Sequence, residues 1–548
     1  MSAELPSLPP VVKPLLLEAL GRPFLAYELG ATEDEIDQWL VGPNDEFGTL
    51  QQTQALLQLH IVLHGSRGDD NLSLRRLNLS HILGIYQEPF HTTLVNVIRG
   101  IATGEGAALV SSGSLEDILA QLVRDVYPLY LLPTDADPFP NSSTVSVYQN
   151  PLRQRFKAAV MVDEVLAKLF QAEDENSGRH GSLLRSTGQG GGVQLIMFAE
   201  MLIGAGWRAA NTAKPGHPSV DEHVEAALMQ LTIVRDALDG RHVEVPVRVA
   251  FTGVRLLVDQ PIDLGWGILR KTDDRDRPLV PGGIEGQLQG TGSDGVNVSI
   301  DYSGDVVLDT KIDYRVRMRQ FEPGDEWPQD LRAFDQVQRL IENVQLGALL
   351  SQDFNASEPI TVLPTWRYVH DPLAHGYGVG WSDPRMSRSF MPKQLDEAAA
   401  SKWRDFAIAV EAHRTKYIDV AIRRTLRAAA ERRDFADVLM DAVIAWENLL
   451  GSRRGEPTLR VSGAIAWLLE DTSEKRSVLR SELSKLYDMR SDVVHGNKMP
   501  SDQKLVPKSQ WALEVAVDSL RVLFTSRLEL LTECKTGDER SNRLLMGG

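Results

Sequence analysis

From Asp396 to about Glu533 the apolar residues of this 548-residue chain recur at spacings of three and four, a period that only packed helices satisfy. Phe406, Val410, His413, Tyr417 and Val420 form one such stripe on a first helix. Asp434 is the expected N-cap of a second helix, with Leu439, Val443, Trp446 and Leu450 facing inward and Gly451 ending it. Pro457 suits the first turn of a third helix through Leu459, Gly463, Ala466 and Leu469. A fourth runs from about Glu474 to His495, closed by Gly496 and Pro500, and a fifth from about Lys508 through Leu513, Val517, Leu520, Phe524 and Leu531. Residues 396–548 are therefore expected to fold as an all-α bundle.

Upstream the period changes. Between Val245 and Arg319, β-branched and polar residues alternate between glycines and Asp/Gly turns, which predicts a β-rich domain over 240–320 with a hairpin or loop at PGGIEGQLQGTGSDG. The first 235 residues read as mostly helical, with helical spacing in 51–63, 114–123, 156–170 and 193–203 and linkers at 133–140 and 173–192. Residues 325–395 read as a helix over about 330–350 followed by a Pro/Trp-rich connector. The fold class expected is multidomain α+β.

Charge restricts where a polyanion can bind. The formal net charge is −17, yet from Ser401 onward there are 25 Lys+Arg against 22 Asp+Glu, leaving 33 against 53 before it. Phosphate binding runs on lysine and arginine, so contact with nucleic acid is expected only in the C-terminal part or a local groove. The single cysteine, Cys534, supplies neither an internal disulfide nor a zinc cluster. Met1–Pro14 holds no long apolar run, and no window approaches the roughly 18 consecutive apolar residues of a membrane span. A soluble cytoplasmic protein without membrane contact is the expectation.

Two charges interrupt the bundle's own pattern. On the fourth helix the stripe runs Leu479, Leu483, Leu486, then Arg490, then Val493 and Val494; on the second, Glu447 stands among Met440, Val443 and Leu450. Charges buried without partners are too costly to persist, so Glu447 and Arg490 are expected to face each other or to line one polar cleft. A purely structural ion pair satisfies the same argument. His495 follows Arg490 by five positions, about 140° round an ideal helix and roughly 7.5 Å along it. A histidine and an arginine sharing a groove suit metal-free RNA cleavage: the imidazole moves the 2′-hydroxyl or leaving-group proton, and the guanidinium holds the scissile phosphate.

The spacing alone is weak, because Arg76 and His81 repeat it in a polar, leucine-spaced segment that reads as coincidence. Arg185–Gly192 lacks the Gly-Lys-Ser/Thr ending of a phosphate loop, and His370, Asp371 and His375 lack a third ligand at a metal-site spacing and read as surface loop. His60, His64 and His413 read as packing or surface residues. No metal or cofactor is expected.

The segment 423–496, with RRTLRAAAERRDFADVLMDAVIAWENLLG and LSKLYDMRSDVVHG, resembles the HEPN superfamily, and within it the Apea-like branch: a basic first helix, a glutamate before a Leu-Leu pair, and the YD-x-RS-x-x-x-HG phrase in order. The resemblance implies a helical bundle that pairs with a second copy, catalysis by Arg490 and His495, and a polar cleft supported by Glu447, Ser491 and Asp492. Independently of the resemblance, the basic residues Arg423, Arg424, Arg427, Arg432 and Arg433 that end the first bundle helix read first as a solvated, dipole-favoured helix end, with RNA-backbone contact the alternative. By the same resemblance the chain is expected to be a metal-independent endoribonuclease of antiviral defence or a toxin-like stress response. Its substrate would be host or viral RNA, with tRNA among the candidates, and its N-terminal region would sense a phage-derived or stress trigger. The alternative is a non-catalytic HEPN module that binds RNA or nucleotide, or that dimerises.

Overall fold

The computed structural model describes residues 12–41, 48–66, 72–105, 113–133, 145–174, 178–187, 191–280, 287–291, 297–301, 304–318, 333–352, 361–374, 379–381, 392–452, 457–495 and 501–546. The architecture is α+β: helices dominate the first 240 residues, several small sheets follow, and a helical region closes the chain. Among the described residues no helix is long and apolar enough to cross a membrane.

The principal sheet has six strands in the order Val379–Trp381, Leu363–Val369, Glu244–Thr252, Val306–Asp313, Gly267–Lys271, Ile262–Asp263, all antiparallel. Two of them come from the stretch expected to be a connector. Trp366, Tyr368 and His370 alternate along 363–370 and are buried, but Pro364 and the neighbouring bulge break the pattern that would have revealed a strand. The supposed linker 173–192 likewise contributes strands: Gly178–Arg185 pairs with Ala172–Asp174, with Gly191–Gln194 and, across the expected domain boundary, with Val316–Met318. The segment 287–301 is an antiparallel pair, as hairpin chemistry requires.

Nor is His370–Asp371 a surface loop. His370 bridges Tyr368 (Oη to Nδ1, 2.6 Å) and Gln230 (Nε2 to Oε1, 2.8 Å), and Asp371 accepts from Thr187 at 2.6 Å and Tyr314 at 3.1 Å. Arg185, from the glycine-rich segment, sits 3.5 Å from Asp371. These groups are buried and lock the small sheet, the large sheet and the N-terminal helices together. His375 lies outside the described residues.

Burial lowers the pKa of His370 to about 3 and that of His223 to about 4. Both are neutral in the fold, whereas the unfolded chain protonates them near pH 6.5. Between about pH 6.5 and pH 4 the unfolded state binds more protons, so stability falls as pH falls. A melting series from pH 7 to pH 4.5 should show a declining midpoint, with a shallower decline in His370→Gln; equal slopes would refute the assignment.

Two cores organise the chain, one running from Leu16 to Ala407 and the other from Leu346 to Leu544. The helices Ala333–Leu350 and Glu397–His413 feed both, and Gly347 lets them touch: a Cβ there would meet Ala407 backbone atoms at 2.9 Å. Trp403 fastens the pair by donating to the Val344 carbonyl at 2.9 Å.

The C-terminal bundle keeps the expected helices with two corrections: the fifth ends at Thr525, so that Leu531 falls on a separate short helix, and the first is divided. The first is two helices, Glu397–His413 and Asp419–Ala430, broken at Arg414, whose backbone is extended. Its guanidinium is buried and reaches Glu342 at 2.6 Å, Asp419 at 2.8 Å and Asn343 at 2.8 Å. Those partners outweigh the apolar period; Tyr417 and Val420, expected on the inner stripe, are exposed. The other helices are Phe435–Leu450, Pro457–Leu469, Ser473–His495 and Asp502–Thr525, followed by the short Glu529–Thr532 and Gly537–Met546. Leu439, Val443, Trp446 and Leu450 are all buried as expected.

Asp434 caps the 435–450 helix, its Oδ1 accepting from the Ala436 amide at 2.8 Å. Asp434→Ala should cost about 1 kcal/mol in denaturant unfolding; an unchanged midpoint would deny the cap a role.

Candidate functional site

Glu447 and Arg490 come together where the 435–450 and 473–495 helices pack. The carboxyl of Glu447 is half-buried, and burial raises its pKa while the nearby Arg490 cation pulls it down. Arg490 is half-buried as well, and its Nε is enclosed without a hydrogen-bond partner. No hydrogen bond joins the two side chains. They act on each other through their charges alone.

Tyr487, one turn before Arg490, completes the cluster. Its ring is buried in the bundle core and lies 6.1 Å, centroid to centroid, from that of Trp446. Burial raises its pKa, Glu447 raises it further and Arg490 opposes both. The Tyr487 hydroxyl and the Trp446 indole nitrogen are enclosed without partners, like the Arg490 Nε. Buried polar atoms are nearly always satisfied, so these three, on two packed helices, stand out in the seam. In sequence, Trp446 reads as an inward-facing core residue and Tyr487 only as part of the YD-x-RS phrase, and nothing there signals the placing of their polar ends.

His495 is the last residue of the 473–495 helix, so the helix carries its backbone five positions beyond Arg490; its side chain, and Gly496, lie outside the described residues. Ser491 is exposed and Asp492 half-buried on the same terminal turns. The decoy pair lies on another helix, Leu72–Leu83, where Arg76 donates to the Glu18 carbonyl at 2.9 Å and His81 is exposed.

The three arginines of the Asp419–Ala430 helix have intramolecular work. Arg423 meets Glu342 at 3.2 Å, Arg424 meets the buried Asp441 at 2.5 Å, and Arg427 lies 3.7 Å from Glu431. Arg432 completes the Asp441 clamp at 2.7 Å. Arg423 and Arg424 therefore serve first as bonds between helices, and Arg427, exposed and loosely paired, is the freest of the three for a phosphate.

At the far end of the 435–450 helix, the fully buried Arg540 donates to the carbonyls of Leu449 at 2.6 Å, Asn448 at 3.0 Å and Cys534 at 3.3 Å. It closes the helix's C-terminus, where cations are favoured. Among the described residues one group of metal-type donors converges, His242, Glu244 and Asp313, with ligand atoms within 4.8 Å of one another. Strand register brings Asp313 opposite Glu244, which sequence spacing could not reveal; His242 and Glu244 are exposed, and Arg315 pairs with Asp313 at 3.3 Å.

Comparison of the chain with family models, with curated proteins and with solved structures finds no match. The functional reading is carried by the bundle's own residues and by the motif resemblance.

Proposed function

We propose that the C-terminal bundle is a HEPN-type, metal-independent endoribonuclease site in which Arg490 binds the scissile phosphate and His495 transfers the proton. The observation that carries this reading is the Arg490 guanidinium held on the inner side of the 473–495 helix beside Glu447, with Nε unbonded, five residues before the helix ends at His495. An arginine whose donors are not consumed by the fold is available to a phosphodiester. The carboxylate beside it keeps the empty cleft from carrying an isolated cation.

The chemistry uses only these side chains. The neutral His495 imidazole takes the 2′-hydroxyl proton, the oxygen attacks the adjacent phosphorus, and the 5′-oxygen leaves with the proton that the resulting imidazolium returns. Arg490 stabilises the charge that develops on the phosphoryl oxygens. Pairing with a second copy would bring two such motifs to one groove, and the N-terminal and sheet regions would serve as sensor or regulator, in antiviral defence or a toxin-like response.

The test is incubation of the purified chain with RNA, tRNA included, in EDTA. Cleavage that is lost in Arg490→Ala while the far-UV spectrum is retained supports the reading. RNA left intact by the wild type, with lysate from phage-infected cells added as the source of a trigger, refutes it.

A further inference from the structure

We propose that Tyr487 is a positioning residue for Arg490: when the guanidinium turns from Glu447 to an incoming phosphate, the Tyr487 hydroxyl donates to the carboxylate left behind. This rests on the reading that Arg490 binds a phosphodiester.

The argument begins with what a tyrosine does in that seam. Its ring fills a core position against Trp446 that a phenylalanine would fill as well, and its hydroxyl is buried without a hydrogen-bond partner. A buried donor left dry weakens a fold, whereas its removal together with a compensating apolar surface is neutral or stabilising. The hydroxyl thus has no structural benefit in the resting state. An acceptor stands on the facing helix: Glu447 directly follows Trp446, against which the Tyr487 ring packs, and its charge acts on the hydroxyl.

Glu447 is the group that a moving Arg490 would leave stranded. Arg490 is the charged side chain whose field acts on it, and a half-buried carboxylate deprived of its cation must find a donor, take up a proton or resist the change. Tyr487 and Arg490 are three residues apart on one helix and so share a face, which puts donor and departing cation on the same side of Glu447. The exchange replaces an Arg490–Glu447 attraction by two bonds, phosphate to Arg490 and Tyr487 to Glu447.

The experiment measures binding of a 2′-O-methyl RNA oligonucleotide, which lacks the nucleophile, to the full chain, alongside cleavage of the unmodified RNA and thermal melting. Tyr487→Phe should raise the dissociation constant and KM about tenfold, the effect of one hydrogen bond to a charged group, with kcat nearly unchanged and the melting midpoint equal or higher. In a Glu447→Gln background, where the carboxylate is gone, adding Tyr487→Phe should change affinity little, and the cycle should be non-additive. Wild-type affinity in Tyr487→Phe, or a fall in melting midpoint with affinity intact, overturns the positioning role while leaving the nuclease reading standing. A wild-type chain that neither binds nor cleaves RNA overturns the nuclease reading, and this proposal with it.

Discussion

His495→Ala should reduce RNA cleavage in EDTA by a factor on the order of 10²–10⁴, the usual contribution of a positioned general acid or base. The helix should survive the change, since His495 is its last residue and alanine is the better helix former. Binding of an uncleavable RNA should be almost unaffected, because the imidazole acts on a proton while Arg490 holds the charge. The variant therefore separates chemistry from binding: kcat falls and KM holds. A proportional loss of binding would make His495 a contact residue and favour the non-catalytic module. Circular dichroism and size-exclusion elution, compared with wild type, check that fold and assembly are kept.

Arg414→Ala carries the second large effect, on stability. Its guanidinium is buried and bonded to two carboxylates and an amide, which tie the Ala333–Leu350 helix to the break between Glu397–His413 and Asp419–Ala430. Removing it leaves the buried Glu342 with Arg423 as its remaining cation, at 3.2 Å, and with the Gln338 amide, also at 3.2 Å. Breaking a buried pair from one side typically costs about 3–5 kcal/mol, against nearly nothing for an exposed pair. Urea unfolding should show that loss for Arg414→Ala and less than about 1 kcal/mol for Arg404→Ala, whose Asp405 partner is exposed. Equal effects would mean that the buried network contributes no more than surface charge.

Much of the bundle was legible because its helices bury continuous stripes. Leu439, Val443, Trp446 and Leu450 needed only the helical period, and Asp434 only its place before it. The break at Arg414 was hidden because its decisive partner, Glu342, lies 72 residues earlier, and a local period carries no trace of it. Strand 363–369 was hidden for a related reason: its alternation is interrupted by Pro364 and the bulge, and the sheet order sets it beside 244–252 from far along the chain.

The candidate site divides in the same way. Glu447 and Arg490 were visible as charges standing where leucines belong, and the structure brings them together. The unpartnered hydroxyl of Tyr487 was invisible, since its burial depends on the facing helix that carries Trp446 and Glu447, 40 residues earlier. Arg423 and Arg424 read as a solvated helix end with phosphate contact as the alternative, and the partners opposite them, Glu342 and Asp441, lie too far along the chain to be read from it.

End-group analysis of RNA incubated with the wild-type chain in EDTA tests the central claim most directly. Cleavage by Arg490 and His495 predicts 2′,3′-cyclic phosphate and 5′-hydroxyl termini that disappear in His495→Ala. Intact RNA, or fragments with 3′-hydroxyl and 5′-phosphate ends, would contradict it.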